Sequence, residues 1–179
     1  MGVKTCCFIG HRNTKETPSL RARLELVLRD LIEKKGVQFF LFGSRSRFDE
    51  LCLKVVTEFQ QEYPQIKRIY MRSQAPEIPK VYEEYLLQFY DGTVFPEKID
   101  GAGRAAYVER NQELINASDY CVFYYDPYYQ PPKRKYSKRS VGEYQPKSGT
   151  QLAIDYAYQK KRGGKEITIV NLNEEETQD

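Results

Sequence analysis

Three glycine-containing junctions hold the residues best suited to chemistry in this chain. Ser148-Gly149-Thr150 closes a basic, proline-containing loop and opens a helical stretch just before the last apolar strand. A glycine flanked by hydroxyls at such a junction leaves bare backbone N–H groups at a helix N-terminus, where unsatisfied donors and the helix dipole together favour a phosphate. Gly10 in CCFIGHR and Gly43 in FFLFGSRS also stand where an apolar strand gives way to polar residues. Gly10-His11-Arg12 and Gly43-Ser44-Arg45 each bring an arginine that can pair with phosphate or stack on a base, beside a backbone that a ligand can approach closely. Three such edges predict one pocket for a nucleotide-like ligand, while each glycine alone reads equally well as a tight strand-to-helix turn.

Other polar residues are weighed against that pocket. His11 is the only histidine; with no carboxylate or nucleophile fixed beside it by spacing, it reads as a hydrogen-bonding loop residue rather than a general base. Asp49 and Glu50 open a helix, where acidic groups complement the positive dipole end, and Asp49 is also a candidate contact for a ribose hydroxyl or ligand amine. Arg110 and Asn111, in YVERNQELI, face solvent unless their helix begins beside the pocket. Cys6, Cys7, Cys52 and Cys121 lie in apolar segments without metal-ligand spacing, and the adjacent Cys6 and Cys7 point to opposite faces of a strand. They read as buried free thiols, and neither a metal nor a cofactor is expected.

The elements that must position these residues alternate. Residues 5–9, 37–42, 66–71, 119–125 and 166–170 read as strands bounded by polar or glycine punctuation. Leu20, Leu24, Val27, Leu28, Leu31 and Ile32 form one buried helical stripe, stopped at Gly36. Phe48, Leu51, Cys52, Val55, Val56 and Phe59 form a second, stopped at Pro64. Further helices are predicted over 80–89, 104–116 and 150–161. This alternation implies right-handed βαβ crossovers: a single three-layer α/β/α Rossmann-like domain over residues 1–179, with a mostly parallel sheet. Doubly wound sheets bind ligands beyond the carboxyl ends of their strands, where the loops at Gly10, Gly43 and Asp126 should converge.

Composition agrees. With 40% hydrophobic and 30% charged residues the chain fits one globular domain, and no apolar run approaches the roughly 18 to 20 residues that span a bilayer. No membrane partner is expected, and a cytoplasmic location is. The net charge of +3 is local: residues 126–147 carry Lys133, Arg134, Lys135, Lys138, Arg139 and Lys147 against Asp126 and Glu143, so the remainder is near neutral. A nucleic-acid footprint spread over a folded face is therefore not favoured. Tyr128, Tyr129, Tyr136 and Tyr144 in this long loop could stack on a base, or the loop could be a solvated insertion. The acidic tail at 172–179 is expected to fray.

TCCFIGHR, FGSRSRFDELC, ERNQELINASDYCVFYYD and SGTQLAIDYAYQKKRGGKEITIVNL together resemble the SLOG superfamily, which includes the Lonely Guy phosphoribohydrolases and DNA-processing protein A, and above all its small bacterial and phage members. The resemblance implies a nucleotide or NAD-derived signalling nucleotide, such as ADP-ribose or cyclic ADP-ribose, held by Ser148, Gly149 and Thr150 with the Gly10 and Gly43 loops. It also raises Arg110 to a ligand contact and suggests a homo-oligomer. The hydrolases of the group carry P-G-G-x-G-T-x-x-E; here Gln145, Pro146 and Lys147 replace the glycine run and Ala153 replaces the catalytic glutamate. The expectation is binding without catalysis, as sensor or sponge, with nucleotide N-glycosidic hydrolysis or single-stranded DNA binding as alternatives.

Overall fold

The computed structural model describes residues 2–130 and 147–173. Among them, six strands form one sheet: β1 (Lys4–Gly10), β2 (Val37–Phe42), β3 (Lys67–Met71), β4 (Gly92–Val94), β5 (Tyr120–Tyr124) and β6 (Thr168–Asn171), in the spatial order β4-β3-β2-β1-β5-β6. Every neighbouring pair is parallel. The connections are the helices α1 (Pro18–Glu33), α2 (Arg47–Glu62), α3 (Lys80–Leu86), α4 (Ala106–Asn116) and α5 (Gly149–Arg162). The chain winds outward from β1 to β4, then returns to place β5 on the other side of β1. The crevice between β1 and β5 is thus the switch in winding direction.

Two cores follow from the period-two alternation of the central strands. Cys6 and Phe8 of β1 face α1 and α2 with Leu24, Leu28, Phe48 and Val55, whereas Cys7 and Ile9 face α4 and α5 with Leu114, Ile115 and Ala157. The three-layer Rossmann-like α/β/α architecture is therefore present, and the two adjacent cysteines do point to opposite faces. Helix starts are set by local chemistry. Thr17, Ser46 and Ser148 cap α1, α2 and α5 through their side-chain oxygens, and Pro18 begins α1 where its missing N–H is harmless.

Some boundaries differ from those predicted. The three-residue β4 has no apolar run to announce it; it is held at the edge by its pairing with β3. The helix predicted over 80–89 ends at Leu86, because the amides of Gln88 and Phe89 take shorter bonds to Tyr85 and Leu86. Most of the loop predicted over 126–147, and the tail beyond Asn173, lie outside the described residues. No helix among the described residues is long and apolar enough to cross a membrane.

Candidate functional site

A cavity of about 340 Å³ opens over the carboxyl ends of β2 and β3, within the size range of small-molecule sites. Four arginines line it: Arg12 after β1, Arg45 after β2, Arg72 after β3, and Arg110 from α4. Tyr70, Tyr82 and Tyr107 supply aromatic walls, and no carboxylate lines it among the described residues. The arginines are not equivalent. Arg72 is engaged in structure, donating to the Ala75 and Pro76 carbonyls and to Thr93. Arg45 lies over the Tyr85 ring, 4.8 Å from its centre, and donates to that residue's hydroxyl at 2.8 Å.

Arg110 is the unusual member. It is only 5% exposed, yet among the described residues no carboxylate stands within the 4.0 Å of an ion pair and its Nε has no hydrogen-bond partner. Its other nitrogens make a long 3.5 Å contact to Ser73 Oγ and a 3.2 Å bond to Asn111 Oδ1. Burial lowers its pKa, a tendency that Tyr70 and Asp49 oppose. The guanidinium reaches this position because residue 43 has no side chain: a Cβ there would sit 2.7 Å from Arg110 Nε. Gly10 is comparable, since a Cβ would stand 2.2 Å from the Phe48 ring. At both glycines the space without a side chain is filled by the protein's own packing.

Beneath Ser44, on the cavity wall, lies Asp49, 3% exposed in the first turn of α2. Its Oδ2 accepts from Ser44 Oγ at 2.6 Å and from the Ser46 hydroxyl; its Oδ1 is buried without a partner. Burial raises the carboxyl to about 6, against the serine bonds and Arg110, which favour the ionised form. Asp49 instead faces a second hollow of about 520 Å³ between α2 and the end of α3, which shares Ser44 and Arg45 with the first. That hollow carries Glu50 and Glu58 and reaches Arg68 at the start of β3, so it suits an anion less well.

The switch between β1 and β5 is organised differently. His11 is 2% exposed; its Nε2 accepts from the Asp126 amide at 2.9 Å, which leaves the proton of the neutral ring on Nδ1. Its ring stacks on Tyr129 with centres 4.0 Å apart, and its carbonyl accepts from Thr14 Oγ1 at 2.8 Å. Burial holds its pKa below the ordinary histidine value. His11 therefore clamps the β1 loop to the β5 loop as a neutral group. At the start of α5, Ser148 Oγ accepts from the Gln151 amide at 3.1 Å, Thr150 is buried, and a Cβ at Gly149 would meet open space.

The structure thus divides the residues singled out from sequence. Arg12, Gly43, Ser44, Arg45 and Arg110 share the arginine cavity, with Asp49 and Asn111 bonded to its members. Gly10, His11, Ser148, Gly149 and Thr150 do not line it. Arg72, Ser73, Tyr70 and Tyr107 do, and sequence reasoning missed them. The Tyr107, Arg110, Leu114 spacing placed Arg110 on the helix face of an apolar residue, a signal available in the sequence.

Fold and cavity define the class first: a doubly wound Rossmann-like domain whose arginine-rich hollow lies at the carboxyl ends of its strands. The family follows from residues 6–157, which match the YspA SLOG family, and the chain belongs to it. No curated protein matches the chain.

Proposed function

We propose that the protein binds the phosphate of a nucleotide or NAD-derived nucleotide in the arginine cavity and holds it uncleaved, as a sensor or sponge. One observation carries this reading: Arg110 is a buried cation with no carboxylate in ion-pair contact and an unpartnered Nε among the described residues, Asp49 acting on it only from beyond 4.0 Å. Burying an unpaired charge costs several kcal/mol, and an anion seated beside Arg12, Arg45 and Arg110 would offset that cost with charge-assisted bonds. The absence of cleavage is supported by Ala153, buried in the core where the related hydrolases carry glutamate, and by Asp155, which is half-exposed and paired with Lys147 at 3.1 Å.

Calorimetric titration of micromolar protein with AMP, ADP-ribose, cyclic ADP-ribose and inorganic phosphate tests it. At least one phosphate compound should bind with saturable heat, and silence from all four would end the proposal. A second reading, N-glycosidic hydrolysis, is favoured by Asp49 alone, whose pKa of about 6 suits acid–base work. Its carboxylate is separated from the cavity by Ser44, so overnight incubation with AMP should release no free adenine on chromatography. Steady release would make the protein a hydrolase. Lys133, Arg134 and Lys135, on which single-stranded DNA binding would rest, lie outside the described residues.

A further inference from the structure

Two serine hydroxyls on the wall of the arginine cavity are polarised in opposite senses. Ser73 Oγ receives the long contact from Arg110, so its own proton remains available to a ligand. Ser44 has spent its proton on Asp49 Oδ2 at 2.6 Å, and one of its lone pairs takes the Ser46 amide at 3.3 Å. A hydroxyl has one proton and two lone pairs, so a single lone pair of Ser44 is left. It can receive a hydrogen bond but cannot give one. Asp49 holds this arrangement firmly, because its first-turn position is locked by the Ser46 cap and the residue is almost fully buried.

We propose that Ser44 is the specificity-determining acceptor of this cavity, so that its ligand is a phosphate ester carrying a free hydroxyl, a ribonucleotide or sugar phosphate, rather than bare phosphate or a hydroxyl-free ester. The arginines can only donate, and they take the anion. Ser44 can only accept, and it takes the donor of the sugar. A phosphate oxygen placed against Ser44 would face a lone pair, whereas a ribose hydroxyl would complete it. The chemistry selects a ligand with both features on neighbouring atoms. This inference rests on the reading of the cavity as an anion site, and it adds which anion.

The probes are inorganic phosphate, AMP and 2′,3′-dideoxyadenosine 5′-monophosphate, titrated against the full chain and its Ser44→Ala and Ser44→Thr variants. The wild type should hold AMP about tenfold more tightly than the dideoxy compound, the value of roughly one hydrogen bond. Ser44→Ala should bring the two within about twofold, chiefly by weakening AMP, and should lower the melting temperature because Asp49 Oδ2 loses one of its two hydroxyl donors. Ser44→Thr, which keeps the hydroxyl, should restore the preference. Equal affinities for the two nucleotides in the wild type, or a preference that survives Ser44→Ala, would overturn the proposal while leaving the anion site standing. Failure of all three probes to bind would overturn the anion site, and this proposal with it.

Discussion

The arginine cavity and the β1–β5 crossing lie two strands apart on one sheet edge, and the polar groups they bury differ in charge. At the crossing, His11 is buried, neutral and bonded to the Asp126 amide, and its ring is stacked on Tyr129. His11 Nδ1 has no partner among the described residues, but what it leaves unpaired is a neutral N–H. At the cavity, Arg110 and, behind Ser44, Asp49 are as deeply buried but ionisable, and each also keeps an atom without a partner. Leaving a buried neutral N–H unpaired costs less than leaving a buried charge unpaired, and the costlier arrangement calls for a ligand that supplies the missing partner. On the proposed reading, the neutral group serves the fold and the charged ones serve a ligand.

That contrast can be tested from both sides. His11→Ala should cost about 2 kcal/mol, since it strands the Asp126 amide and removes an aromatic stack, while nucleotide affinity should change less than about threefold. Denaturant melts paired with calorimetry would check this, and a large affinity loss without destabilisation would erase the distinction.

Asp49→Asn should act with the opposite sign. The folded-state pKa of about 6 lies above the ordinary aspartate value of 3.8, so the protonated carboxyl favours the fold. That contribution is complete below about pH 4 and is lost as pH rises through about 6. The wild type should therefore lose up to about 3 kcal/mol relative to Asp49→Asn between pH 4 and pH 7.5. Parallel stability curves for the two proteins across that range would contradict the assignment.

Ser148→Ala sharpens the comparison at the remaining predicted contact. Loss of the cap should cost about 1 kcal/mol. If the arginines hold the phosphate, affinity for AMP should stay within about threefold of the wild type. A drop of a hundredfold would move the anion to the start of α5.

Much of the fold could be read in advance because burial on both faces writes long apolar runs into the central strands, as in FFLF of β2 and CVFY of β5. β4 escaped because a three-residue edge strand, Gly-Thr-Val, needs no such run. The site was half legible. Glycine-arginine junctions marked Arg12 and Arg45, but no glycine precedes Arg72, so nothing distinguished its loop from an ordinary turn. Gly10 and Gly43 read as places for a ligand to approach, whereas the space beside them is taken by the protein's own side chains. Their neighbours are Phe48 and Arg110, from elements distant in the chain, and no local pattern specifies such partners. Residue type and spacing alone make Arg110 and Asn111 a solvent-facing pair, and only the family resemblance raises Arg110 to a ligand contact; its burial across Gly43 is written in neither. Burial of a lone cation is a property of tertiary structure.

If a ligand anion is what keeps Arg110 buried without an ion pair, replacing the guanidinium should cost binding and not stability. Titration of AMP into the wild type and Arg110→Met, with thermal melts of both unliganded proteins, tests it most directly. Affinity should fall by about a hundredfold or more while the unliganded variant melts at the same temperature or higher, because a costly buried charge has been replaced by a side chain of similar length. Undiminished binding by Arg110→Met, or a variant that melts well below the wild type, would contradict it.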